Sequence, residues 1–189
     1  QGEAIIWGQQ LGAEIADLSG YQGHGSVAHP HGILVTWALM MEGGIQVNQL
    51  GRRFSNEHQG YSEQAVSVLA QPDKIAFNIF DDRLCKLGRD FEDFRTAEEV
   101  QAILRADTPQ ELATKLGINL IDLCKPLADC DRIALDSERD VFGRIFDSKK
   151  LLEPPYCAVR VTGTLFHTQG GLVVNEKAQI YRGDGSVFP

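Results

Sequence analysis

Apolar residues first recur at helical spacing in EAIIWGQQLGAEIADL (3–18), where Ile5, Leu11, Ile15 and Leu18 fall near one face and Gly20 supplies a stop, so a helix is expected. GYQGHGSVAHPHG (20–32) has no apolar period and reads as a polar loop. After it, Val35, Ile45 and Val47 predict short strands separated by the flexible pair Gly43-Gly44. SEQAVSVLAQ (62–71) has helical character. In KIAFNIFDD (74–82), Ile75, Phe77 and Ile79 alternate as in a half-buried strand.

The middle of the chain is punctuated by caps. Thr96-Ala-Glu-Glu99 has the spacing of a capping box, and Thr108-Pro109-Gln-Glu111 repeats it with proline at the first helical position. Gly117 closes that short helix; another is expected after Asn119, with Pro126 as a break or kink. The polar run LDSERD (135–140) leads to YCAVRVTGTLFHTQGGLVVN (156–175) and AQIYRGDG (178–185), rich in β-branched residues and ending in a Gly-Asp-Gly turn. Strands and helices come in separate runs, which predicts an α+β fold.

Composition limits what this fold can do. With 189 residues and 43% hydrophobic content, the chain can bury a core. A net charge of −8 and a pI near 5.1, with no run of Lys and Arg, argue against nucleic acid as a partner. GILVTWALMM (32–41) falls short of the roughly 20 residues that span a bilayer, and the N-terminus has no basic start of a signal peptide. Cys85, Cys124, Cys130 and Cys157 form no Cys-x-x-Cys pair, which reads as reduced thiols in a cytoplasmic protein.

His24, His29 and His31 raise the question of a metal site, a substrate grip or a loop. Imidazole binds transition metals, but Pro30 excludes a helical His-x-x-x-His arrangement and the glycines leave the rings poorly organised; no metal is expected.

RRFSNE (52–57), TPQELATKLGINLIDL (108–123), DVFGR (140–144) and FHTQGGLVVNEKAQIYRGDGSVFP (166–189) resemble, in order and approximate spacing, the fumarate reductase and succinate dehydrogenase flavoprotein superfamily, which includes 3-ketosteroid and tricarballylate dehydrogenases. His167-Thr168-Gln169-Gly170-Gly171 is similar to the family's His-Thr-Met-Gly-Gly, departing at Gln169. The resemblance implies the family's cap, an antiparallel sheet with helices that binds substrate, spanning 19–166. Residues 1–18 would then end a flavin-binding domain and 167–189 re-enter it. The glycine-rich nucleotide fingerprint is missing. Gln1-Gly2 resembles a flavin-domain loop and Val187-Phe188-Pro189 precedes the expected second flavin segment, so the chain is expected to be a fragment. Its cofactor is FAD in the full-length protein, not retained by this piece, and surfaces normally covered by the flavin domain would be open to self-association.

The resemblance also implies site roles. His24 takes the register of the family's substrate histidine; with His167 it would hold a carboxylate or carbonyl oxygen of a small-molecule substrate. Glu57 is a substrate-binding candidate, with a scaffold pair with Arg144 as the other reading. Where dicarboxylate reductases carry a proton-delivering arginine after Asn-Glu, this chain has Gly60-Tyr61, closer to ketosteroid dehydrogenases. Tyr61 is therefore either the proton-handling phenol or an ordinary core residue. Thr168, Gly170 and Gly171 would approach the flavin. The implied reaction passes hydride between flavin N5 and a carbon of an activated C–C bond. The rival reading is a non-redox binding or regulatory module descended from the cap.

Overall fold

The computed structural model describes residues 2–189; Gln1, half of the expected Gln1-Gly2 loop, lies outside them. In chain order the elements are α1 (Glu3–Gln10), β1 (Ile15–Ala16), β2 (Tyr21–Ala28), β3 (Ile33–Leu34), α2 (Ala38–Met41), β4 (Ile45–Asn48), α3 (Tyr61–Leu69), β5 (Ile75–Asp81) and α4 (Asp82–Gly88). They continue with α5 (Glu92–Glu99), β6 (Ile103–Ala106), α6 (Pro109–Leu116), α7 (Leu120–Asp136), β7 (Tyr156–Thr168) and β8 (Gly171–Leu172). Two compact units result: Gln1–Gln22 with Leu165–Pro189, and Gly23–Thr164.

In the larger unit β3-β2-β7-β5-β4 form one sheet, with β6 also paired to β7; the pairs β2–β3, β4–β5, β5–β7 and β6–β7 are antiparallel. The expected α+β architecture, an antiparallel sheet with helices, is the one found. β5 is buried along its whole length rather than half-buried. Ala76 and Phe80 enter one apolar cluster with Leu39, Val68, Leu84 and Phe94, whereas Phe77 and Ile79 enter another with Leu112 and Leu123. Strand side chains alternate between faces, so both faces of β5 are covered and both parities must be apolar.

Several local expectations need correction. The first helix ends at Gln10 instead of running to Leu18: Gly12 takes a left-handed φ of 83°, and Ile15–Ala16 pairs with β8. Val35 lies outside any strand, just before the short helix α2. Thr96 caps nothing; it lies inside α5, where its hydroxyl donates to the Glu92 carbonyl at 3.2 Å. Pro126 does not break α7, which is continuous from Leu120 to Asp136. The ring falls on the buried stripe of Leu123, Cys130 and Ile133, so packing compensates for the lost backbone donor. The other caps form as expected: Thr108 Oγ1 accepts from Glu111 N–H at 3.2 Å, Gly117 is left-handed at φ 67°, and Asn119 caps α7.

The main correction concerns the histidine segment, most of which is the strand β2, buried from Gly23 onward. Its glycines serve helix-on-strand packing. A Cβ on Gly23 would stand 2.6 Å from that of Ala65, and one on Gly25 2.7 Å from the Gln64 carbonyl carbon. The missing side chains let α3 lie directly on the strand.

The smaller unit contains α1 and the β1–β8 pair, with Ile15 opposite Leu172 and Ala16 opposite Gly171. Isolated bridges join Ala13 to Arg182, Val174 to Ile180 and Tyr181 to Val187. Among the described residues no helix is long and apolar enough to cross a membrane.

Candidate functional site

The close seat of α3 on β2 brings its first residue, Tyr61, over His24. The rings stack with centroids 4.9 Å apart and planes 22° from parallel. Trp37, just before α2, meets the same imidazole edge-on at 6.0 Å and 89°. His24 is only 3% exposed, and its Nδ1 accepts the Ser26 backbone N–H at 3.1 Å. With Nδ1 accepting, the ring proton belongs on Nε2, and burial pushes the imidazole pKa down to about 4. His24 is thus a neutral Nε2–H donor at physiological pH. Trp37 Nε1 is buried with no hydrogen-bond partner among the described residues, an orphan donor that its sequence position does not signal.

Glu57 belongs to a different arrangement in the same unit. Its Oε1 accepts from Gln46 N–H at 3.1 Å and Arg53 Nε at 2.9 Å; Oε2 accepts from Arg53 Nη2 at 2.8 Å and Arg144 Nη1 at 3.0 Å. Arg53 also donates to Asp140 at 2.8 Å, and Arg144 to the carbonyls of Gly44 and Met40. Phe146 lies under both guanidinium groups, 4.9 and 4.5 Å from its centroid. Burial would raise the Glu57 pKa, but the bonds and charge of Arg53, with the charge of Arg144, outweigh it and hold the carboxyl below its ordinary range. Two cations balance two anions, and every lone-pair direction of Glu57 is used. This geometry favours the scaffold reading of Glu57 and Arg144. Arg53 and Asp140 were missed as its other members because their contact joins positions 87 residues apart.

In the smaller unit, His167 near the end of β7 pairs with Gln22, Nδ1–H donating to Oε1 at 2.8 Å, and the Phe166 ring lies 4.1 Å from its own. That bond orients the imidazole and leaves Nε2 as the outward nitrogen of an exposed side chain. Thr168 is the last residue of β7. A Cβ on Gly170 would stand 2.1 Å from the Asp17 carbonyl oxygen, so internal packing demands that glycine; one on Gly171 would meet nothing within 4 Å. The backbone at Gly171 is therefore bare enough for a flat ring to approach, which fits an isoalloxazine edge. His29 and His31 lie in a turn and are exposed; among the described residues no three His, Cys, Asp or Glu side chains gather as a metal site.

The family model described as the FAD binding domain matches residues 1–189. The chain belongs to that family. It is 27% identical over 179 residues to the probable fumarate reductase Ifc3 of Shewanella frigidimarina (strain NCIMB 400), covering 95% of this chain and 30% of the relative. It is also 27% identical to the NADH:fumarate oxidoreductase of Klebsiella pneumoniae (strain 342), covering 97% of this chain and 20% of that protein. The open conformation of a flavocytochrome c3 fumarate reductase superposes with a TM-score of 0.80 at 26% identity, over 98% of this chain and 32% of that one. A 3-ketosteroid delta1-dehydrogenase from Sterolibacterium denitrificans, at 22% identity and a TM-score of 0.63 over 98% of this chain and 39% of that one, shares the fold. The chain thus spans less than a third of the curated relatives' length and belongs to an FAD-dependent, fumarate reductase-like oxidoreductase family.

Proposed function

We propose that the protein oxidises or reduces a C–C bond adjacent to a substrate carbonyl, with the larger unit contributing the substrate cap. The observation that carries this reading is the neutral, buried His24 stacked beneath Tyr61. An imidazole kept as an Nε2–H donor can polarise a carbonyl oxygen without bringing positive charge, and the Tyr61 side chain beside it can take the proton from the adjacent carbon as phenolate or give it back as phenol. Trp37 adds a third donor, its unpartnered N–H. FAD, when bound, supplies the hydride acceptor or donor, with Thr168 and Gly171 as its contacts in this chain. In the smaller unit, Gln22 orients the His167 imidazole.

A ketone suits these groups better than a dicarboxylate. The buried guanidiniums of Arg53 and Arg144 are engaged by Glu57, Asp140 and backbone carbonyls, and His24 is uncharged. The test is rapid mixing of the full-length flavoprotein with candidate cyclic ketones and dicarboxylates while flavin absorbance is followed. Tyr61→Phe should slow flavin reduction by about 10²-fold or more with little change in substrate affinity. An unchanged rate would return Tyr61 to the core.

A further inference from the structure

The cysteines have no part in the site described above, yet two of them are brought together by the fold. α4 follows β5 directly, and Cys157 on β7 stands opposite Phe80 of β5. The helix thereby carries Cys85 back over the neighbouring strand. The Cys85 thiol donates to Cys157 Sγ with the sulfurs 2.9 Å apart, and both residues are fully buried. This separation is well inside ordinary non-bonded contact of sulfurs and within about 1 Å of a covalent S–S bond. Two cysteines acting only as small apolar side chains need no such approach. Among the described residues no further His, Asp or Glu completes a metal set around them.

We propose that Cys85 and Cys157 are a dithiol pair that closes to a disulfide, tying α4 to β7. The oxidant is a small-molecule disulfide. Cys157, as thiolate, attacks one of its sulfurs and releases one small thiol; deprotonated Cys85 then attacks the Cys157 sulfur of the mixed disulfide and releases the second. Two protein thiols are oxidised, one small disulfide is reduced to two thiols, and the two cysteine protons pass to the released sulfurs. Cys157 suits the first attack, since the hydrogen bond from Cys85 and the charge of Arg105 hold its thiol below the ordinary range. Burial confines exchange to moments when the seven-residue α4 lifts, and it shields the closed bond from reductants. The cross-link would restrict the unfolded chain across 72 positions.

The test uses the full-length protein, reduced, incubated with oxidised glutathione, unfolded, alkylated with iodoacetamide and digested by trypsin without reductant. The expected product joins peptide 84–86 (LCK) to peptide 151–160 (LLEPPYCAVR), lighter by two hydrogens than their sum. The oxidised protein should melt roughly 5–15 °C above the dithiothreitol-treated sample. Cys85→Ser and Cys157→Ser should each abolish the joined peptide and the shift. If either variant fails to fold, the wild-type peptide map alone decides. Recovery of both peptides fully alkylated, or cross-links solely through Cys124 or Cys130, would overturn the proposal.

Discussion

Two buried polar groupings in the same unit have opposite characters. Around Glu57 the charges sum to zero and each carboxylate oxygen accepts two hydrogen bonds. Around His24 the neighbours are aromatic, the imidazole is neutral, and an indole N–H lacks a partner. The first grouping is not fully satisfied either, since Arg144 Nε is also orphaned, but that guanidinium lies over Phe146 with its other nitrogens bonded. A charge-balanced network whose shared carboxylate is saturated holds chain segments together. A cluster with a donor in reserve is suited to meet a ligand.

The sharpest way to break this contrast is Glu57→Ala. It strips two buried guanidiniums of their shared carboxylate, and breaking a buried ion pair on one side typically costs about 3–5 kcal/mol. Chemical denaturation should report a loss of this size; a loss under 1 kcal/mol would mean that the network does not hold the unit. His24→Ala should act in the opposite sense. The fold should survive, while flavin reduction by substrate in the full-length enzyme falls by about 10²- to 10³-fold. Normal turnover in that variant would remove His24 from the proposed chemistry.

Gly25→Ala probes the packing that creates the aromatic cluster. The added methyl would strike backbone atoms of α3, at Gln64 and Ala65, within 2.8 Å, so α3 must shift. Overpacking of this kind costs about 1–3 kcal/mol, and the displaced Tyr61 should lower activity along with stability. Unchanged melting and activity would show that Tyr61 and His24 need no close helix seat.

This glycine also marks the limit of what could be read from the sequence. The resemblance, the α+β class and the caps at Thr108 and Asn119 were all legible, because short motifs and local periodicity carry them. β2 was misread as a loop because glycine is the usual residue of turns, and nothing local reveals a helix lying on a strand. Thr96 misled for a related reason: the Thr-x-x-Glu spacing fits a cap, but α5 already begins at Glu92. The Arg53–Asp140 and Cys85–Cys157 contacts are long-range, and a single sequence records neither.

Acid separates the two groupings through protonation. His24 has a folded-state pKa near 4 against an ordinary value of 6.5, so the folded state binds its proton less readily than the unfolded chain. The stability linked to His24 is present above pH 6.5 and is lost as pH falls from 6.5 toward 4. Glu57 and Asp140 are held below the ordinary carboxylate range, so their contribution is lost at lower pH, as the solution becomes acid enough to protonate them. Unfolding curves for wild type and His24→Phe should therefore diverge between pH 6.5 and 4, the variant showing the flatter slope. Parallel curves there would mean that burial does not hold His24 neutral.

The smallest effect concerns Trp37→Phe. The replacement keeps an aromatic ring beside His24 while removing the orphan N–H. A buried donor without an acceptor is a liability of roughly 1–3 kcal/mol, so its removal should leave stability unchanged or raise it slightly, after allowance for the smaller ring. In the full-length enzyme, by contrast, KM should rise a few-fold to about tenfold if substrate supplies the missing acceptor, because the lost bond is worth about 1 kcal/mol. Stability and affinity thus move in opposite directions, which simple damage to packing would not produce. A fall in melting temperature with KM unchanged would assign Trp37 to the core alone and leave the cluster with His24 and Tyr61 as its only proposed functional groups.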